Sequence, residues 1–247
     1  DKVTIRVINH LPHRTSVHWH GLEVPNLMDG VPPLEPSPYI YPGEYFDYSF
    51  TICNPPGTYM YHSHVEVPIQ DNAGLFGGLI VENPCRTCDT PDKDYLCILQ
   101  EWAVNALPWG DLTPGTYPLN FVKPMFNFVT MNGQSYPLTL PLQVTADKKR
   151  YRKHPDASPP YSPVWPSVQS YRRRRLPIQP GAQICKNTIL VASGETWDVE
   201  FIADNPGVWP IPPYAAPRPT TEFPLWRNVY HGKLYGYESK RAETHDD

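Results

Sequence analysis

Pro42-Gly-Glu-Tyr-Phe-Asp-Tyr-Ser-Phe50 is the stretch on which the fold of this chain turns. Phe46, Tyr48 and Phe50, continued by Ile52, recur at every second residue. That is the period of a strand burying one face, so these side chains are expected to fill a first core. The same text returns as Ser193-Gly-Glu-Thr-Trp-Asp-Val-Glu-Phe201. The match runs on, because Asn54-Pro55-Pro56-Gly57 corresponds to Asn205-Pro206-Gly207. Both halves therefore carry one strand–turn–strand unit, which implies two copies of a β domain. Trp197 and Trp209 are expected to pack the second core, as the aromatic residues of Tyr45–Ile52 pack the first.

Working outward, 247 residues give room for one large or two medium domains, and 32 prolines argue against long helices. Domain one is expected over residues 1–84, with strands at Val3–Ile8, Ser16–His20, Tyr45–Ile52, Thr58–His64 and Gly77–Glu82. Residues 85–94 read as a polar linker and 95–247 as the second domain. That domain opens with strands at Tyr95–Trp102 and Phe126–Met131, the latter running into Asn132-Gly133, a dipeptide suited to tight hairpins. About 145–180 and 211–247 lack strand periodicity and are expected to be irregular, their basic Arg172–Arg175 run included.

A net charge of −4 gives no basis for a nucleic-acid partner, and no stretch approaches the length of a membrane span. Five cysteines are an odd number, so at least one lacks an intramolecular partner. Cys85-x-x-Cys88 has the spacing of half a zinc or redox motif, yet no second C-x-x-C follows.

The chemistry lies in two pairs, His18-Trp19-His20-Gly21 and His62-Ser63-His64, 44 residues apart. Within a strand, residues i and i+2 face the same side, about 6.8 Å apart. Each pair thus offers two imidazoles to one side and turns Trp19 or Ser63 to the other. If the strands are neighbours, four imidazoles converge, and imidazole is a good ligand for copper, zinc, iron or nickel. His10, His13, His154, His231 and His245 have no paired spacing and read as surface or turn residues.

Ser16–Gly30 together with Pro56–Pro84 resembles the amino-terminal copper motifs of the multicopper oxidases, the laccase-like family. The resemblance is dense to about Pro84 and patchy beyond. It implies an all-β fold of two cupredoxin-like Greek-key β-sandwich domains, the first amino-terminally truncated and the second degenerate. It implies copper as cofactor, with His18 on a type 2 ion and His20, His62 and His64 on a type 3 pair. Asp29 falls where the family places an acid that assists proton delivery; Asp29-Gly30 also reads as a simple turn. Implied partners are O2 and a small reducing substrate such as a phenol or a low-valent metal ion, with a periplasmic or extracellular setting. Intact two-domain relatives imply a homotrimer. A copper nitrite reductase shares the fold but not this pairing of motifs.

The chain departs from the family in its second half. Counting from the aligned glycines, His62, Ser63 and His64 fall opposite Pro212, Pro213 and Tyr214, where the resemblance calls for His-Cys-His. The expected H-P-x-H-L-H-G motif is also missing. An impaired enzyme, or a copper-binding homologue without the type 1 site, is the expectation for the chain as written.

Overall fold

The computed structural model describes residues 1–82, 93–104, 128–135, 138–140, 142–145, 150–157, 164–168, 170–173, 186–189, 191–202, 208–211 and 232–237. Among them the regular structure is almost wholly β. In the first half, β1 (Lys2–Ile8) pairs antiparallel with β3 (Tyr45–Thr51), from Lys2 opposite Thr51 to Ile8 opposite Tyr45. A second sheet runs β2-β4-β5, built from His18–His20, Gly57–His62 and Phe76–Val81. These five strands thus begin and end within a residue or two of the bounds that the periodicity gives, the usual uncertainty at strand ends.

Trp19, Leu22, Ile40, Tyr48, Phe50 and Tyr59 form the core between the two sheets, with Val3, Ile5, Val7, Phe46 and Ile52 packed against it. Trp19 meets Tyr48 edge to face at 5.3 Å, a favoured aromatic geometry. Tyr48 is fully buried, and its hydroxyl accepts a 3.0 Å hydrogen bond from the Val17 amide. Burial pushes the Tyr48 phenol above its usual range. This contact anchors the residue that precedes His18, so core packing fixes where the first histidine pair begins.

In the second half, β6 (Lys93–Trp102), β7 (Phe128–Met131), β9 (Arg150–Ala157), β11 (Ser170–Arg173) and β13 (Glu195–Ile202) form one sheet in the order β11-β13-β9-β6-β7. Two smaller sheets are β10-β12, from Val164–Val168 and Lys186–Thr188, and β14-β15-β8, from Val208–Ile211, Gly232–Tyr237 and Leu142–Thr145. Cys97, Leu99 and Val199 are buried and Trp197 is half-buried; the side chains of Phe201 and Trp209 lie outside the described residues. Asn132 (φ 52°) and Gly133 (φ 73°) make a type I′ turn, the geometry the dipeptide predicts.

Two expectations need correction. The interval 145–180 contains β9, β10 and β11, and the interval 211–247 contains β15, so neither is irregular throughout. These strands are held by backbone pairing without hydrophobic alternation, which is why periodicity misses them. β9 lies between β6 and β13, and its register with β13 skips His154 and Pro155, where proline has no N–H to give. β11 is an edge strand, and Arg172 and Arg173 belong to it. Lys93 and Asp94 belong to β6 rather than to a linker; the rest of 85–94, with Cys85 and Cys88, lies outside the described residues.

The halves touch through β4 and β13. Thr58 Oγ1 donates to Asp198 Oδ1 at 2.6 Å, and Thr196 Oγ1 donates to the Thr58 carbonyl at 2.8 Å. Among the described residues no helix is long and apolar enough to cross a membrane.

Candidate metal centre

β2 and β4 are neighbours, and their register sets His18 opposite His62. The imidazole centroids of His20, His62 and His64 lie 5.7, 5.3 and 5.5 Å from that of His18. Trp19 and Ser63 turn away and are buried, so all four imidazoles share one face as the spacing predicts. The ligand atoms of His18, His20 and His62 all lie within 4.8 Å of one another, and all three rings are half-buried. His10 and His13 are exposed; His154, His231 and His245 contribute nothing described to this face.

The hydrogen bonds assign the tautomers. His18 Nδ1 lies 2.9 Å from the Asp29 carbonyl, and His62 Nδ1 lies 2.8 Å from the Ser63 carbonyl. A carbonyl only accepts, so both Nδ1 atoms carry the proton and both Nε2 atoms are acceptors. His62 Nε2 lies 3.3 Å from His20 Nδ1. With His62 Nε2 as acceptor, His20 donates from Nδ1, which leaves its Nε2 unprotonated. Three imidazoles with unprotonated Nε2 atoms, that of His62 accepting from His20 in the metal-free protein, form a donor set that fits a copper ion, for which imidazole is a preferred ligand.

Asp29 forms the turn that the Asp-Gly dipeptide suggests. It ends a short 3-10 turn over Asn26–Met28, and Gly30 follows with φ 76°. A Cβ at Gly30 would lie 1.9 Å from the Val17 carbonyl oxygen, so only glycine allows this turn to close on the strand carrying His18. The Asp29 carboxylate meanwhile sits 3.4 Å from His18 Nδ1. A residue absent from the sequence expectation joins it. Glu35 lies beside Asp29; burial first, and then Asp29, raise its pKa, while the nearby His64 opposes the rise.

A second group was also missed. Thr15 Oγ1 and Ser63 Oγ both donate to Gln70 Oε1, at 2.8 and 2.6 Å, and Gln70 Nε2 donates to the Arg14 carbonyl at 2.9 Å. These bonds tie α1, the single turn Val67–Gln70, beneath the His62-Ser63-His64 segment. The next residue, Asp71, places Oδ2 at 3.1 Å from His62 Nδ1. Only a polar residue placed shortly after a histidine pair could have signalled either one. From the second half, the turn at Ser193-Gly194 approaches the cluster: a Cβ on Gly194 would sit 3.4 Å from His20 Cε1. Pro212, Pro213 and Tyr214 lie outside the described residues. Of the cysteines, Cys53 is exposed and Cys97 buried, and neither is in a disulfide among the described residues.

Residues 1–86 match the family model described as multicopper oxidase. Laccase-1 of Cryptococcus neoformans var. neoformans serotype D is 34% identical over 146 residues, covering 54% of this chain and 22% of that relative. Copper resistance protein A of Escherichia coli is 35% identical over 102 residues, covering 41% of this chain and 16% of that relative. The alignments thus span about a fifth of the curated relatives' length. A blue copper oxidase from Nitrosomonas europaea superposes with a TM-score of 0.77 at 28% identity, covering 96% of this chain and 73% of that structure. Residues 1–86 thus match a multicopper oxidase domain, the relatives and solved structures point to the same family, and the fold is of the all-β, cupredoxin-like Greek-key class.

Proposed function

We propose that the histidine cluster is a copper site of a laccase-type oxidoreductase, with His18, His20, His62 and His64 as ligands. The observation that carries this reading is the convergence of the four imidazoles, three of them with ligand atoms within 4.8 Å. Copper, when bound, supplies the one-electron redox chemistry by which phenol-like or metal-ion donors reduce O2 to water. The protein's own residues do the rest. The Asp29 and Ser63 carbonyls hold the imidazoles with Nε2 facing inward, and Asp29 with Glu35 forms an acid pair placed to hold a proton beside His18. Assignment of His18 to a type 2 ion and the other three to a type 3 pair belongs to this proposal. So do a periplasmic or extracellular setting, a division into two domains near residue 84, and trimer formation.

A second reading is a copper-binding homologue without turnover. Pro212-Pro213-Tyr214 favours it, since these residues stand where the repeat calls for His-Cys-His and prolines offer no ligand. Oxygen uptake by the copper-loaded chain with a phenolic donor separates the two. Sustained uptake supports the oxidase; bound copper with neither blue absorption nor uptake supports the homologue without turnover. Failure to bind copper at all removes both.

A further inference from the structure

We propose that Asp71 is a positioning residue for His62, its carboxylate acting through the imidazole on the ion that the imidazole would hold. The inference rests on the copper-site reading above. His62 Nδ1 has two acceptors, the Ser63 carbonyl at 2.8 Å and Asp71 Oδ2 at 3.1 Å. The carbonyl is enough to fix the tautomer, but it is neutral. A carboxylate behind the same N–H adds negative charge, makes the imidazole a stronger donor at Nε2, and offsets the charge of a bound cation. Carboxylate–histidine–metal relays work in this way.

The fold gives Asp71 no other evident use for its charge. Asp71 follows the last residue of α1, the end of a helical turn where an acid is disfavoured by the peptide dipoles. No lysine or arginine is paired with it among the described residues. Its Oδ1 is buried and makes no hydrogen bond among them. Its backbone, by contrast, is firmly held: the amide donates to the Val67 carbonyl at 3.1 Å, and its carbonyl accepts from Gly74 N at 2.9 Å. Gln100 Nε2, from β6 of the second half, donates to that same carbonyl at 3.3 Å. Asp71 and Gln100 line one cavity of about 250 Å³ with His20, His62 and Gly194. The carboxylate is therefore clamped at the rim of the histidine cluster by bonds that do not involve its side chain. The backbone would hold with any residue there, so the acid serves His62.

Titration of the full chain with copper(II), followed by affinity and by electron paramagnetic resonance, tests this with Asp71→Asn, Asp71→Glu and Asp71→Ala. Asp71→Asn keeps the shape and removes the charge. It is expected to weaken copper(II) binding about 10- to 100-fold and to alter the copper hyperfine splitting, with the metal-free melting temperature unchanged. Asp71→Glu is expected to recover part of the affinity. In metal-free protein, nitrogen-15 NMR is expected to show His62 in the single Nδ1–H form in the wild type and in Asp71→Ala alike, because the Ser63 carbonyl still accepts from Nδ1. Wild-type affinity and hyperfine splitting in Asp71→Asn would overturn the role of Asp71. So would a fall in metal-free melting temperature that accounts for the lost affinity, since that marks a merely structural residue. A wild-type chain that binds no copper(II) would instead overturn the copper-site reading on which this rests.

Discussion

The two copies of the repeat share a scaffold and differ in what hangs from it. In both, a glycine with positive φ opens the strand, Gly43 at 81° and Gly194 at 71°. In both, the following glutamate closes the turn the same way. Glu44 N donates to the Tyr41 carbonyl and Glu195 N to the Ala192 carbonyl, each at 2.9 Å. The side chains repeat the pattern, Glu44 Oε2 accepting from Tyr41 N and Glu195 Oε2 from Ala192 N, each at 3.3 Å. Four residues after each glutamate, Tyr48 and Val199 are fully buried. Between them the copies part. Asp47 pairs with Arg6 at 2.7 Å on the surface, while Asp198 is buried against Thr58 of the other copy. Further on, the first copy carries His62-Ser63-His64 and the second Pro212-Pro213-Tyr214. Turn chemistry and one buried position thus suffice to preserve the unit, and the ligands can come and go without it.

The largest expected effect comes from breaking the shared buried position. Tyr48→Ala removes an aromatic side chain from the core and strands the Val17 amide, and should cost about 3–5 kcal/mol in chemical denaturation. Val199→Ala removes far less buried surface and should cost about 2 kcal/mol. Equal losses would mean that the two cores are not organised alike.

The aspartates sharpen the contrast at a smaller scale. Asp198→Asn weakens a buried charged hydrogen bond between the copies and should cost about 1.5–3 kcal/mol. Asp47→Asn, at the exposed equivalent position, should leave the denaturation midpoint unchanged in ordinary salt, because solvent screens that pair. A large Asp47 effect with a silent Asp198 would reverse the comparison.

The smallest expected effect is a pH dependence that belongs to the first copy. The folded state raises the pKa of Glu35 above its ordinary value, through burial and then Asp29. A raised folded pKa favours the folded state below the ordinary carboxylate range, and that contribution is lost as pH rises through the raised value. Metal-free melting temperature should therefore decline over that window, and Glu35→Gln should flatten the decline. An unchanged slope in Glu35→Gln would remove Glu35 from the acid pair.

These contrasts also mark what the sequence could disclose. The strands around Tyr48 and the facing histidine pairs were legible because period-two alternation and paired spacing are local signals. So was the turn at Asn132-Gly133. Glu35, Gln70 and Asp71 were not, because each meets its partner only after the chain folds back, and no short-range pattern links Glu35 to Asp29 or Asp71 to His62. β9 and β11 were hidden for a different reason. They join the sheet through backbone pairing, with Pro155 interrupting the ladder, and carry no alternating apolar face to announce them.

The central claim is that the first copy's four histidines form a copper-binding site, and electron paramagnetic resonance of the full chain with one equivalent of copper(II) tests it most directly. The account predicts a spectrum with nitrogen superhyperfine structure from several imidazoles, lost in His20→Ala/His62→Ala while the melting temperature of the metal-free protein stays within a few degrees. A spectrum of oxygen-ligated copper, or one unchanged by that double substitution, would contradict it.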